Sequence, residues 1–565
     1  MRFEISEVIT QDQVMNLVYG NNSTPKHILG RHYLKEGQVI AAYHPYTESI
    51  ELIKDDGTAF QMDRIERQPV YAIYFQDRTP FHYVLKMTFP DGNTFTTEDP
   101  YSFPCQITDQ DEELFLNGEW TDAYRKIGCQ RMVLNGTEGM YFAVWAPAAT
   151  RVSIVGDFNY WNGLIYPMNK LEKSGIFELF IPGLSSGSCY KYEIKTLQGN
   201  IMQKADPFEY MKEEGDGNAS KIIDIDSFPW TDSGWMRSRG YRYTRELPLA
   251  VCCVGNGDCL PEEDVLDGNF THILFGNCGK ETDDTAEYGH TSLLCPPYCG
   301  NDADSFRSMI DFAHRKGIGV LMEICPGFFS REGDGNEFFD GSLLYGYSDR
   351  RIGYDRKKQM WRYCFAKPEV RSLVLSSLNF WYHHFHIDGF VFTGIDDMVS
   401  PDVDIFNKID IKTNLGSDVE VAREVLELPH HNIDFLNSAL QTLHSQDISV
   451  LLIGEFSPIL PSRKNESLSQ NFDYFLDHSV GDNIKTYLAH ESTTRWKEHY
   501  RLVSPLQNQK LESSLVLLNP LNGQAAECEG GHTGAISRSQ YQYDPAWLRM
   551  AAAFLLGIPG GKIWM

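Results

Sequence analysis

From residue 249 onward the chain repeats a pattern that few folds accommodate: a short apolar run, then in several places a longer stretch with helical spacing. The runs are LAVCCVG, FTHILFG, GIGVLMEICPG, IDGFVF, DISVLLIGE, NFDYFL, SLVLLNP and GKIWM. Between several of them lie DADSFRSMIDFAHRKG, KPEVRSLVLSSLNFWYHHF and HNIDFLNSALQTLHSQ. Strands apolar on both faces belong to a parallel sheet covered by helices. Eight of them in order match a closed (β/α)8 TIM barrel. The last run reaches Met565, so the expected barrel lacks its final outer helix and is incomplete at its C-terminus, either as a fragment that exposes a strand edge or as a barrel closed in an unusual way.

Upstream the period changes from helical to strict alternation. GQVIAAYHP, SIELIKD, YAIYFQ and FHYVLKMTF, separated by turn residues, predict a β-sandwich that ends near DQDEELFLNG. A segment around WTDAYRKIG carries helical spacing at Trp120, Tyr124 and Ile127. A second strand-rich module follows: GMYFAVWAPAATRVSIVGDFNYWNG, GIFELFIPGL, CYKYEIKTLQG and ASKIIDI. GQVIAAYHPYTESIELI echoes GMYFAVWAPAATRVSIV, which suggests a duplicated fold. The expected organisation is multidomain, with two immunoglobulin-like β-sandwiches over 1–113 and 114–235 and the barrel over 236–565.

Composition narrows the partners. With 42% apolar and 13% aromatic residues, the 565-residue chain can bury several cores and still spare rings for binding surfaces. A formal charge of -27 repels nucleic-acid backbones and anionic membranes, so a neutral ligand is expected. The N-terminus MRFEISEVITQDQ does not read as a signal peptide, and no run reaches the ~18 apolar residues of a membrane span. The 12 cysteines have neither zinc-knuckle nor disulfide-scaffold spacing, which together with the N-terminus favours reduced thiols in a cytoplasm.

Barrel enzymes carry their chemical groups at the C-terminal ends of the strands. Those positions hold Glu323, Thr393, Glu455, and Asn519 with Leu521. Glu455 is the strongest candidate, because burial after VLLIG would raise its pKa and suit it to general-acid work. Glu323 reads as an acid at the same rim or as part of a structural ion pair. His384, His386 and Asp388 are mixed in phase and read as packing or supporting residues rather than as metal ligands.

YFAVWAPAATRVSIVGDFNYWNG, SGIFELFIPGL, YKYEI and KADPF, followed by RKGIGVLMEICPG, FFDGSLLY, EVRSLVLSSLNFWYHHFHIDGF and PGGKIWM, together resemble the glycogen, or 1,4-alpha-glucan, branching enzymes of the alpha-amylase superfamily, glycoside hydrolase family 13. The resemblance runs from about residue 25 to 565, without the remainder of the eighth barrel unit or a C-terminal β-domain. It implies a place in glycogen metabolism, no metal or organic cofactor, and a second sandwich related to glucan-binding modules of family 48. The implied partner is an α-glucan such as glycogen, amylose or amylopectin, with an association with other glycogen enzymes.

Retaining transfer from an α-1,4 chain to a 6-hydroxyl needs a carboxylate nucleophile and a carboxylic acid that protonates the leaving oxygen. By the resemblance the acid is Glu455. The family stretch DGFRxD reads DGFVFT here, so Val391 stands for the arginine and Thr393 for the nucleophile. The aspartate and histidine of the first barrel motif correspond to Glu323 and Phe328. The motif SHDE corresponds to residues 519–522, with Leu521 at the transition-state stabiliser. Tyr288 corresponds to a donor-site tyrosine. Trp161, in a polar turn, is a sugar-stacking candidate, whereas Trp145 reads as core. The expectation is an α-glucan-binding protein that has lost glycosyl transfer; the alternative is an active branching enzyme with a relocated nucleophile such as Asp396.

Overall fold

The structure is a computed structural model describing residues 9–215, 217–242, 249–254, 270–276, 292–296, 302–330, 336–356, 358–399, 416–455, 468 and 471–477, with the backbone of 514–518 and 561–564. The first sandwich sets a sheet of Gly30–Tyr33, Gln38–Tyr43, Val70–Phe75 and Asp63–Arg64 against one of Ala59–Gln61, Ser49–Lys54, Tyr83–Thr88 and Thr94–Glu98. The second pairs Asn169–Lys170, Ile176–Pro182, Thr137–Trp145 and Gly128–Leu134 in one sheet. Its other sheet holds Ala149–Gly156, Cys189–Thr196 and Ile201–Lys204.

A repeated buried acid supports the suggested duplication. In the first sandwich the Tyr83 hydroxyl donates to Asp99 at 2.7 Å, and Asp99 also accepts from the Tyr101 N–H at 3.0 Å. In the second, the Tyr190 hydroxyl donates to Asp206 at 2.7 Å, and Asp206 accepts from the Phe208 N–H at 2.8 Å. Each tyrosine precedes its aspartate by 16 residues, and each aspartate is followed by proline and an aromatic residue. Burial pushes both carboxyls up to about 6.

The join to the barrel differs from the sequence reading. The helix lies in the acidic run, at Asp109–Asn117, where the Thr108 hydroxyl and the Asp111 carboxylate form a capping box and Gly118 ends the helix at φ 78°. The stretch with helical spacing holds only a short 3-10 turn, Ala123–Arg125, yet Trp120, Tyr124 and Ile127 are all buried. They seat on the barrel helix Pro368–His384, whose Ser372 and Ser376 hydroxyls accept the Trp120 and Tyr124 N–H groups at 3.2 and 2.7 Å. Asn379 of the same helix donates to the Thr121 carbonyl at 2.8 Å.

The eight apolar runs become eight parallel strands: Ala250–Val254, His272–Phe275, Gly319–Ile324, Gly389–Phe392, Leu451–Glu455, Tyr474–Asp477, Ser514–Leu518 and Gly561–Trp564. Of the two expected endings, an exposed edge or an unusual closure, the strand pairing gives closure. The eighth strand pairs with both the seventh and the first, with Leu517 opposite Ile563 and Val251 opposite Ile563, so the sheet closes into a ring. Two helices, Ala303–Arg315 and Pro368–His384, lie where helical spacing placed them. A third runs over Gly416–Gln446, starting well before the read segment because Pro429 lies inside it instead of breaking it. No helix among the described residues is long and apolar enough to cross a membrane.

Candidate functional site at the barrel mouth

Side chains alternate along a strand, so one inward-facing residue fixes the face of those two positions away. The barrel interior is a cluster of Val251, Leu274, Leu321, Val391, Ile453 and Leu476 with Leu249 and Tyr474. Two residues beyond Leu321, Val391 and Ile453 come Glu323, Thr393 and Glu455. The register pairs Glu323 with Val391 and Phe392 with Gly454, which puts Thr393 opposite Glu455 one step further on. Three of the sequence-derived candidates thus share the inward face at the C-terminal rim.

The chemistry at this rim is uneven. Glu323 and Glu455 are both half-buried. A Cβ added to Gly276 would lie 2.2 Å from a Glu323 carboxylate oxygen, so the glycine at the end of the second strand gives that carboxylate its room. Thr393 is 7% exposed, and its hydroxyl donates to the Ile324 carbonyl at 3.4 Å. Its N–H donates to the same carbonyl at 2.9 Å. Val391 is part of the apolar interior. Phe328 is buried beneath the rim, close to Gly394 and with Arg362 and Lys358 over its ring.

Cys325 registers the local field. Burial pushes its thiol up to about 12, with Glu323, Asp397 and Glu455 adding to the rise and Lys358 opposing it. Lys358 pairs with Asp397 at 3.0 Å. Asp396 lies in the first turn of the short helix Ile395–Val399 and is half-buried. Among the described residues no group of histidine, cysteine, aspartate and glutamate is arranged to hold a metal ion. Tyr288, Asn519 and Leu521 lie outside the described residues.

The two tryptophans singled out in the second sandwich differ in burial. Trp145 is buried, its indole N–H donating to the Ser174 carbonyl at 3.1 Å and its ring edge-on to Phe115 and Tyr345. Trp161 is half-buried on a tight loop far in sequence from the barrel.

Asp388 belongs to a different centre, at the N-terminal end of its strand. It accepts from Trp235 Nε1 at 2.9 Å and from the Val320 N–H at 2.7 Å, and bonds His314 Nε2 at 2.9 Å. His314 Nδ1 meets Asp232 at 2.8 Å, and His386 Nδ1 meets the same carboxylate at 2.7 Å. Trp235 stacks on His314 and Trp230 on His386. The centre ties the helix Ser233–Arg242 to the base of the barrel, away from the rim. Sequence reading noted Asp388, His384 and His386 but missed Asp232 and His314. The available signal was a histidine on the buried stripe of Ala303–Arg315, beside Ile310 and Ala313.

The N-terminal sandwich matches the family model for the N-terminal domain of alpha-1,4-glucan branching enzyme GlgB over residues 10–101. The second matches carbohydrate-binding module 48 (isoamylase N-terminal domain) over 126–209. The chain is 33% identical over 522 residues to 1,4-alpha-glucan branching enzyme GlgB of Nitrosococcus oceani, covering 88% of this chain and 67% of that one. It is 30% identical over 414 residues to the GlgB of Paramagnetospirillum magneticum, covering 68% and 54%. It therefore spans between about half and two thirds of these relatives. Among solved structures, a pullulanase type I from Bacillus subtilis complexed with maltose shares the fold, with a TM-score of 0.52 at 13% identity, covering 94% of this chain and 78% of that one. Two sandwiches matching these modules, an eight-stranded parallel barrel and one-third identity across most of the chain lead to one conclusion: the protein belongs to the 1,4-alpha-glucan branching enzyme GlgB family.

Proposed function

We propose that this protein binds α-glucan and that its barrel has lost the glycosyl-transfer chemistry of its family. The observation that carries the reading is Thr393. At the position where retaining transfer needs a carboxylate, a nearly buried hydroxyl donates to a backbone carbonyl. A hydroxyl is a far weaker nucleophile than a carboxylate unless a base removes its proton. An alkyl glycoside formed on it would also resist the second displacement that a glycosyl ester undergoes readily. Val391 adds to the loss, because the site of a guanidinium is now part of the apolar barrel interior.

On this reading Glu455 is a retained proton donor, Thr393 is a substituted nucleophile position, Leu521 is a substituted stabiliser position, and Glu323, Tyr288 and Trp161 contact glucan. The modules divide as 1–113, 114–235 and 236–565, and the protein works in the cytoplasm without a cofactor. The purified protein is expected to retard in amylopectin gels and to leave the iodine colour of amylose unchanged. A colour shift abolished by E455Q would overturn the loss of chemistry. Its further abolition by D396N would assign the nucleophile to the half-buried acid three residues beyond Thr393.

A further inference from the structure

The loop of residues 156–163 in the second sandwich is built to hold aromatic rings outward. Asn159 is buried and bonds twice to the backbone: its side chain accepts from the Gly156 N–H at 2.9 Å and donates to the Ile154 carbonyl at 2.8 Å. The Trp161 N–H donates to the Gly156 carbonyl at 3.1 Å, and the Asn162 N–H to the Asn159 carbonyl at 3.2 Å. Within this frame Tyr160 and Trp161 both adopt left-handed backbone, with φ of 54° and 58°. Bulky side chains rarely adopt that conformation, and it persists where the surroundings impose it. The result is that Tyr160 is 92% exposed while Trp161 is half-buried, its ring partly open to solvent.

The next residue reaches the other sandwich. The Asn162 side-chain Oδ1 accepts from the Leu164 N–H at 2.9 Å, which fixes the amide, and its Nδ2 donates to the Tyr46 hydroxyl. Tyr46 is 53% exposed at the corner after Gln38–Tyr43. The buried Tyr71 hydroxyl secures that corner by donating to the Thr47 carbonyl at 2.8 Å. The amide that follows Trp161 in the chain therefore bonds a half-exposed phenol of the other module, 116 residues away.

We propose that Tyr46 completes a glucan-binding subsite with Trp161, so that the two sandwiches bind one α-1,4-linked chain jointly. This deepens the glucan-binding reading above and rests on it. Pyranose rings present apolar C–H faces that suit aromatic surfaces, and the Tyr46 hydroxyl, while accepting from Asn162, still has a proton to donate to a sugar hydroxyl. The carbohydrate-binding-module match spans the loop, and a net charge of -27 favours an uncharged occupant over a phosphorylated one.

The test measures amylopectin affinity electrophoresis and maltoheptaose titration on the full chain carrying Y46A, Y46L, W161A or the double change Y46A/W161A. Losing the aromatic face at Tyr46 is expected to weaken binding about 2- to 10-fold, with the two single losses failing to multiply in the double variant. Melting temperature shows whether each variant is folded, and Y46L, which keeps apolar bulk without a flat ring, gives the answer if Y46A is destabilised. Wild-type affinity in folded Y46A or Y46L, with W161A weakened, would overturn the shared subsite and leave glucan binding by the second sandwich intact. No retardation of the wild-type chain would overturn the underlying reading instead.

Discussion

Replacing Asp388 with asparagine keeps the shape of the side chain and removes the charge around which the base of the barrel is organised. His314 lies between Asp388 at 2.9 Å and Asp232 at 2.8 Å, closed off from solvent. Burial alone would depress the imidazole. The charge of Asp388 and hydrogen bonds to both carboxylates outweigh it and raise the histidine from its ordinary 6.5 to about 9. At about 1.4 kcal/mol per tenfold change, that preference for the charged form is worth roughly 3 kcal/mol. Because the folded value lies above the unfolded one, this stability is fully present below pH 6.5 and is lost as pH rises through about 9. The carboxylates work in the opposite direction. Burial pushes Asp232 and Asp388 up, but the imidazoles bonded to Asp232 and the His314 charge beside Asp388 hold both below the ordinary 3.8, so their share is lost as pH falls below about 4. Breaking such a buried pair costs about 3–5 kcal/mol. D388N is therefore expected to lose that much at pH 6, with the gap to the parent narrowing by pH 9.5. Urea denaturation at the two pH values measures the gap, and the NMR titration of the His314 ring proton should show its midpoint falling in the variant. A loss below about 1 kcal/mol at pH 6, or an equal loss at both pH values, would refute the assigned role of the charge.

Three further outcomes follow from the packing. V391R places a charge in the apolar barrel interior and is expected to cost several kcal/mol of stability without creating transfer activity, checked by calorimetry and the amylose–iodine assay. D99A and D206A each strand a buried tyrosine hydroxyl and a backbone N–H, so each should cost about 1–3 kcal/mol; a neutral result in either, measured by denaturant unfolding, would break the equivalence of the two sandwiches. The pair S372A/S376A removes the acceptors for the Trp120 and Tyr124 N–H groups and should speed limited proteolysis between the second sandwich and the barrel, with about 1 kcal/mol lost per serine.

What the sequence made legible follows from the range of the forces involved. An apolar run bounded by turn residues is a local signal, so all eight barrel strands could be located, and the residues that end those strands, Glu323, Thr393 and Glu455, could be named as rim candidates. The closing pair, Val251 with Ile563, joins residues more than 300 positions apart, and no local pattern announces it. The long helix Gly416–Gln446 was half hidden because Pro429 reads as a breaker. The Asp109–Asn117 helix was masked by an acidic composition that its capping box makes tolerable at the N-terminal turn.

The harder residues to foresee are those whose meaning is set by a distant partner. Asp232 and His314 stand 82 residues apart, and Tyr46 and Asn162 stand 116 apart; each looks ordinary in its own stretch. The same distance dependence bears on function. The barrel's scaffold signals are local and intact, whereas catalysis depends on groups from separate strands meeting at one rim. At that rim Thr393 stands opposite Glu455, and its hydroxyl donates to the Ile324 carbonyl. A carboxylate nucleophile offers an oxygen already carrying charge; the Thr393 hydroxyl must first lose a proton and give up its bond to Ile324. That difference in starting state is what the proposed loss of glycosyl transfer rests on, and the amylose–iodine assay tests it.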